Sequence, residues 1–301
     1  MRRIVAQIPH GFQADNNAVW INHVTIREFI GYDEQLLASS QNFFTPIKTS
    51  LLLAKIVDFK NTNNNVFSSD FDVLQIIRNL TVGDRVALIL QLRKITLGNI
   101  LHCIIHCPNC AEKLSIDLPI DSILQPPNPN PQPTYTTNIN SHDQQYALQI
   151  RPINGADLET LIQNPTPQPI TAGDDSGGGV DVVFSEKLLR ACIVFSDPPL
   201  PKTLSRQFQE QLSKKLSEID PQADLTLNIT CTLCSKTLQT TLDIEDFFFQ
   251  EIASRYPQLE REIHWIALHY HWDEKTILSL PTSKRKRYVE LINASITGEN
   301  L

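Results

Sequence analysis

The chain has 301 residues, 41% of them hydrophobic, enough to bury the cores of two domains or of one domain built from two lobes. Its 26 Lys and Arg against 33 Asp and Glu leave a formal charge of −7, the wrong sign for a protein that grips a phosphate backbone. No run of 18 apolar residues appears, no signal-peptide core follows Met1-Arg2-Arg3, and 6 cysteines are too few for a disulfide scaffold; the expectation is a cytoplasmic protein without a membrane partner.

In chain order, Ile4–Ile8 and Val19–Ile26 read as a hairpin around the polar turn Gln13–Asn17. Asp33 reads as a helix N-cap, and Thr45 before Pro46 as the cap of a helix over Ile47–Val57. Asn61–Asn65 is a loop and Asp70–Leu80 a short helix. Thr81-Val82-Gly83-Asp84 has capping-box spacing ahead of the apolar run Val86–Ile95, which Gly98 closes. A strand with Leu101, Cys103 and Ile105 on one face then enters Cys107-Pro108-Asn109-Cys110, and a second strand, Leu114–Leu118, leaves it. Residues 125–142, with five prolines from Pro126 to Pro133, read as a semi-extended linker.

Beyond it come the strand Tyr146–Ile150, a capped helix Asp157–Gln163 and a Gly/Asp loop over Thr171–Gly179 that lacks the Lys-Ser/Thr of a phosphate loop. Ser185 caps a helix through Ile193. Leu204, Phe208, Leu212, Leu216 and Ile219 make the stripe of an amphipathic helix, and Leu225, Leu227 and Ile229 alternate into Cys231-Thr232-Leu233-Cys234. The remainder is helical: Glu245–Tyr256, then Pro257, then Leu259–Tyr270 at helical spacing, with short segments from Asp273 and Ser283.

The halves repeat. Leu114, Leu118, Ile120, Asp121 and Ile123 are answered by Leu238, Leu242, Ile244, Glu245 and Phe247, and Ile26-Arg27, Gly31 and Asp33 by Ile150-Arg151, Gly155 and Asp157, always 124 residues later. The fold class this implies is α+β: a tandem duplication of a mixed α/β lobe with β-CxxC-β zinc knuckles, plus a C-terminal helical appendage without counterpart. The boundaries are 1–124 for the first lobe, 125–142 for the linker, 143–249 for the second lobe and 250–301 for the appendage. Two matched CxxC turns supply four thiolates, so Cys107, Cys110, Cys231 and Cys234 are expected to hold one structural Zn²⁺ per chain in a closed site with no room for substrate.

Two rival classes follow from the same cysteines. A zinc-ribbon nucleic-acid adaptor needs a basic surface. A CxxC thiol oxidoreductase needs a cysteine opening a helix, whereas both turns here join strand to strand. Cys103 and Cys192 read as core residues, and His102 and His106 as exposed or outer-sphere neighbours of the first knuckle. His264, His269 and His271 do not share a helical face and read as interface or core histidines. Lys284-Arg285-Lys286-Arg287 is the only basic run: a solvated helix face, or a dock for an acidic protein.

At Leu80–Arg85, both CxxC units, Asp220–Ala223, Arg261–Ala267, Tyr270–Glu274 and Ile277–Leu280, the chain resembles the T4-type baseplate hub assembly (chaperone) family, in the form found with extracellular contractile injection systems, the phage-tail-like particles of bacteria. The similarity spans nearly the whole chain, with the C-terminal stretch its most specific part. It implies a non-enzymatic role in building the baseplate or hub, baseplate proteins as partners, no small-molecule substrate and no nucleic acid. It also implies a contact surface carrying His264, Trp265, Tyr270, Trp272, Arg285, Arg287 and Tyr288. At the second knuckle Thr232 and Ser235 stand where the family has proline and glycine, which puts the tightness of that turn in question.

Overall fold

The computed structural model describes residues 2–13, 20–39, 43–59, 73–141, 144–163 and 186–298, so that Asn61–Asn65, Thr171–Gly179 and Ser185 lie outside the described residues. Among the described residues it is a mixed α+β structure of several helices and four small antiparallel sheets.

In the first half, β1 (Arg3–Gln13) pairs with β2 (Trp20–Arg27) in the register Ile4↔Ile26, and the two-residue β3 (Val57–Asp58) adds to the far side of β2. Two-residue alternation turns Ala6, Ile8, Val24 and Ile26 inward. Among the described residues the hairpin is followed by the helices α1 (Gly31–Ser39), α2 (Thr45–Ile56), α3 (Val73–Asn79) and α4 (Val82–Leu97). The Thr81 hydroxyl caps α4 by accepting from Asp84 N, and Gly98, at φ 103°, ends it. The ribbon β4 (Ile100–His106) with β5 (Lys113–Pro119) completes this half.

The second half has β6 (Tyr135–Ser141), β7 (Gln144–Ile150) and β8 (Ile193–Asp197) in one sheet, α5 (Gly155–Gln163), helical residues 186–191 before β8, α6 (Arg206–Ile219), and the ribbon β9 (Thr226–Thr230) with β10 (Thr237–Thr241). Three helices end the chain: α7 (Ile244–Tyr270), α8 (Glu274–Leu278) and α9 (Thr282–Thr297).

The larger core lies in the first half and includes Ile244, Phe248, Phe249 and Ile252 of α7; Phe29 and Phe248 stack with centroids 5.7 Å apart. The smaller core gathers Ile139, Tyr146, Leu148 and Ile150 against Phe208, Leu212 and Leu216. The amphipathic stripe of α6 is thus buried as its spacing requires.

Several expectations are corrected. The linker stops short of 142: β6 begins at Tyr135 and pairs Tyr135 with Ile150, a polar Thr/Asn strand that lacks an apolar alternation to announce it. Pro257 does not divide two helices, because α7 runs through it and across the expected boundary at 249/250. Ala253 and Pro257 are both exposed, so the carbonyl that loses its donor lies on the solvent side, where water replaces the bond. Thr45 lies inside α2, with Phe44 at the N-cap and no side-chain cap. Asp33 and Asp157 sit in the first turn of their helices and accept from Ile30 N and Asn154 N, each at 3.0 Å. The helix expected through Ile193 is present over 186–191 and stops two residues early, because Ile193 already begins β8.

Candidate metal centre

Each knuckle is a tight turn between the strands of a ribbon. Cys107 N donates to Glu112 O at 2.9 Å and Ala111 N to Cys107 O at 2.8 Å; Cys231 N to Lys236 O and Ser235 N to Cys231 O are both 2.9 Å. Ala111 at φ 59° and Ser235 at φ 58° both take the left-handed conformation. The missing glycine therefore leaves the second turn in the same form as the first, at a conformational cost of about 1 kcal/mol per such residue.

The ribbons bring the two turns tip to tip. All four sulfurs lie within 4.8 Å of one another; Cys107 Sγ is 3.7 Å from Cys234 Sγ, and Cys110 Sγ 3.6 Å from Cys231 Sγ. A tetrahedral ion with sulfur ligands at about 2.3 Å has edges of about 3.8 Å, so these four cysteines can hold a metal ion. Leu114, Leu238, Ile105 and Ile229 pack against the sulfurs, and Lys236 Nζ donates to Asn109 Oδ1 of the opposite turn at 2.7 Å.

The electrostatics suit a cation. The Lys236 amide holds the Cys234 thiol down at about 6. The amides of Cys110 and Asn109 lower Cys107. At Cys110 the Glu112 amide pulls down, but burial and the neighbouring Cys107, Cys231 and Cys234 sulfurs outweigh it and push it up to about 12. Thiolates are stabilised one at a time and oppose one another; a divalent ion removes that opposition.

His102 and His106 are exposed, and His102 Nδ1 lies 2.7 Å from Asp117 Oδ1, so neither stands in for a sulfur. Cys103 and Cys192 are buried in the cores; burial raises Cys103 and pushes Cys192 up to about 12.

Of the residues expected to form one contact surface, all but Arg285 are at least partly exposed. His264 is exposed, and Trp265, 36% exposed, stacks on His269 at 5.3 Å between centroids. Tyr270, Trp272 and Tyr288 are half-buried against one another over Ile266, Ile277 and Ile292, with centroids 5.1 to 5.4 Å apart. Arg287 is exposed beside Glu290. Arg285 does not belong to a surface: it is completely buried between Glu34 and Glu262.

Sequence reading gave no role to a second polar cluster, between the halves. Asp84 accepts from His10 N at 2.7 Å and Gly11 N at 3.1 Å, and Asp220 accepts from Gly83 N at 2.9 Å. Fully buried Arg85 donates to Pro46 O at 2.6 Å and Ser50 Oγ at 2.9 Å and faces Glu245 at 3.4 Å. Ser50 in turn donates to Glu159 at 2.5 Å, which Arg78 also meets at 2.8 Å. The sequence carries a signal for it: Thr81–Arg85, which also reads as a helix cap, and Asp220–Ala223 both belong to the family resemblance, and they meet through the bond from Gly83 N to Asp220.

The family model for the T4 bacteriophage base plate protein matches residues 8–193, which takes in the first knuckle and stops before the second and the C-terminal helices. Neither the curated proteins nor the solved structures contain a match to the chain. With well over half of its 301 residues matched, the chain belongs to the T4 bacteriophage base plate protein family.

Proposed function

We propose that the chain is a non-enzymatic structural or assembly component of the baseplate hub of a phage-tail-like contractile injection system, held together by one zinc ion on Cys107, Cys110, Cys231 and Cys234. It is made in the cytoplasm and binds other baseplate proteins, as a resident subunit or as an assembly chaperone. The observation that carries the metal reading is the meeting of two knuckles, far apart in sequence, with all sulfurs within 4.8 Å. An all-thiolate set closes the ion's coordination, so zinc there supplies a crosslink and no Lewis-acid position. Its apparent binding free energy, about 10–16 kcal/mol in small zinc domains, is comparable to the stability of a whole domain.

The chain arose, on this reading, by tandem duplication of a lobe. In support, Arg27 grips Asp33 at 2.6 and 2.9 Å and Arg151 grips Asp157 at 2.7 Å twice, 124 residues on, each beside the glycine that opens α1 or α5. The lobes are 1–124 and, allowing for β6, a second beginning at Tyr135, with the C-terminal helices as a third segment. Metal analysis of the purified protein beside co-purification from cells carrying the tail genes tests this. One zinc per chain together with baseplate proteins is the expected result; two zincs, a zinc shared between chains, or recovery free of every baseplate component overturns it.

A further inference from the structure

The C-terminal segment, which sequence leaves without a counterpart, docks as α3 and α4 do. Thr81, between α3 and α4, bridges Asn154 at the end of one hairpin; Pro281, between α8 and α9, bridges Ile30 at the end of the other. Val82 N donates to Ile153 O at 2.9 Å and Thr282 N to Phe29 O at 3.1 Å. Beside each bridge a glycine opens a helix, and it has to be glycine. A Cβ on Gly155 would lie 1.6 Å from Arg85 Nη1 and 3.1 Å from Arg78 O; one on Gly31 would lie 2.9 Å from Leu278 Cα and 3.1 Å from Leu278 O.

Arg85 and Arg285, the fourth residues of α4 and α9, are both wholly buried. Arg285 spans Glu34 of α1 and Glu262 of α7; Arg85 spans Glu159 of α5, through Ser50, and Glu245 of α7. Each arginine thus links an acid on the helix after the glycine to an acid on α7. Ile77, Leu80 and Arg85 recur as Ile277, Leu280 and Arg285, 200 residues later.

We propose that the Gly31 junction is a docking socket for a helix–turn–helix bearing a buried arginine, plugged here by residues 274–285, and that it accepts the same unit from a second copy of the chain when its own is withdrawn. The socket is acidic, through Glu34 and Glu262, and the plug basic, so the charges specify the occupant. Every copy carries both parts, and the three residues His271–Asp273 are the covalent link between α7 and the plug, with His271 at φ 57°. A plug so tethered competes at an effective concentration in the mM range, which keeps the closed form dominant until the plug itself is weakened. Exchange between copies then needs no contact that the single chain lacks.

Two full-length variants separate the parts. Arg285→Ala spoils the plug and keeps the socket; Gly31→Val fills the socket and keeps the plug. Each alone is expected to be monomeric, and mixing them at tens of micromolar is expected to give a 1:1 heterodimer by light scattering. Gly31→Val alone is expected to speed amide exchange across 274–298 at least tenfold while the β1–β2 hairpin stays protected. If Arg285→Ala loses its cooperative melt, Leu280→Ala takes its place. Two folded variants that stay monomeric on mixing overturn the exchange, and unchanged protection of 274–298 in Gly31→Val overturns the socket. Neither readout involves zinc or another baseplate protein, so failure here is distinguishable from failure of the proposed function.

Discussion

At Ser235 and Ala111 an L-residue occupies backbone space that favours glycine, at φ 58° and 59°. Ser235→Gly should therefore raise the unfolding free energy of the metal-loaded protein by up to roughly 0.5 kcal/mol, after allowing for the greater freedom of an unfolded glycine. Denaturant midpoints at fixed zinc would show it, and a lower midpoint counts against the strain. His10 is a different case: buried in β1, it has neither ring nitrogen hydrogen-bonded, and its Nδ1 lies 3.9 Å from Asp220 Oδ1. Burial lowers its pKa from 6.5, and the Asp220 charge only partly opposes this. The folded chain therefore binds that proton more weakly than the unfolded one, and stability is lost as the pH falls below 6.5. Asp220, raised by burial, works in the other direction, since its folded form takes up a proton more readily as the pH falls. His10→Gln should flatten the pH dependence of stability between about pH 7 and 5, by up to about 1.4 kcal/mol per pH unit. Urea titrations across that range give the slopes, and equal slopes would sink the assignment.

The two ribbons meet at their tips, whereas the halves behind them are also joined at Thr81 to Asn154, Gly83 to Asp220 and through Arg85. Metal removal should accordingly release the ribbons without separating the halves. Chelation is expected to raise amide exchange over 100–119 and 226–241 at least tenfold and leave α4 protected; collapse of protection throughout would mean that the sulfurs alone hold the molecule. Elements with strong periodicity or a matched cap were legible in sequence: the Thr81 box, the Leu204–Leu216 stripe, the strands entering each knuckle, and the four sulfurs that meet there. β6 was not, because Thr and Asn hide a strand behind a proline run. Nor was the burial of Arg285, because a basic run looks solvated until opposing glutamates from α1 and α7 are folded against it. The docking shared by α3–α4 and α8–α9 rests on three matching side chains, too few for sequence to register.

Across the whole molecule, one helix meets both of the completely buried arginines. α7 meets Arg85 through Glu245 near its start and Arg285 through Glu262 towards its end, so both docked helical pairs are read by the same element. Removing one partner of a buried pair leaves the other uncompensated: Arg85→Ala should cost about 3–5 kcal/mol, and adding Glu245→Gln should restore part of it. Equilibrium denaturation of the single and double variants measures the coupling; strictly additive losses would argue against the pair. No helix among the described residues is long and apolar enough to cross a membrane, α7 included. Its 27 residues extend about 40 Å, from the core of the first half out to the exposed stack of Trp265 on His269. Anything that takes hold of that outer indole has its hand on a lever whose fulcrum is the interior, and a tilt at the far end reaches Phe248 and Glu245 by way of Pro257, where α7 lacks a backbone hydrogen bond and bends most readily.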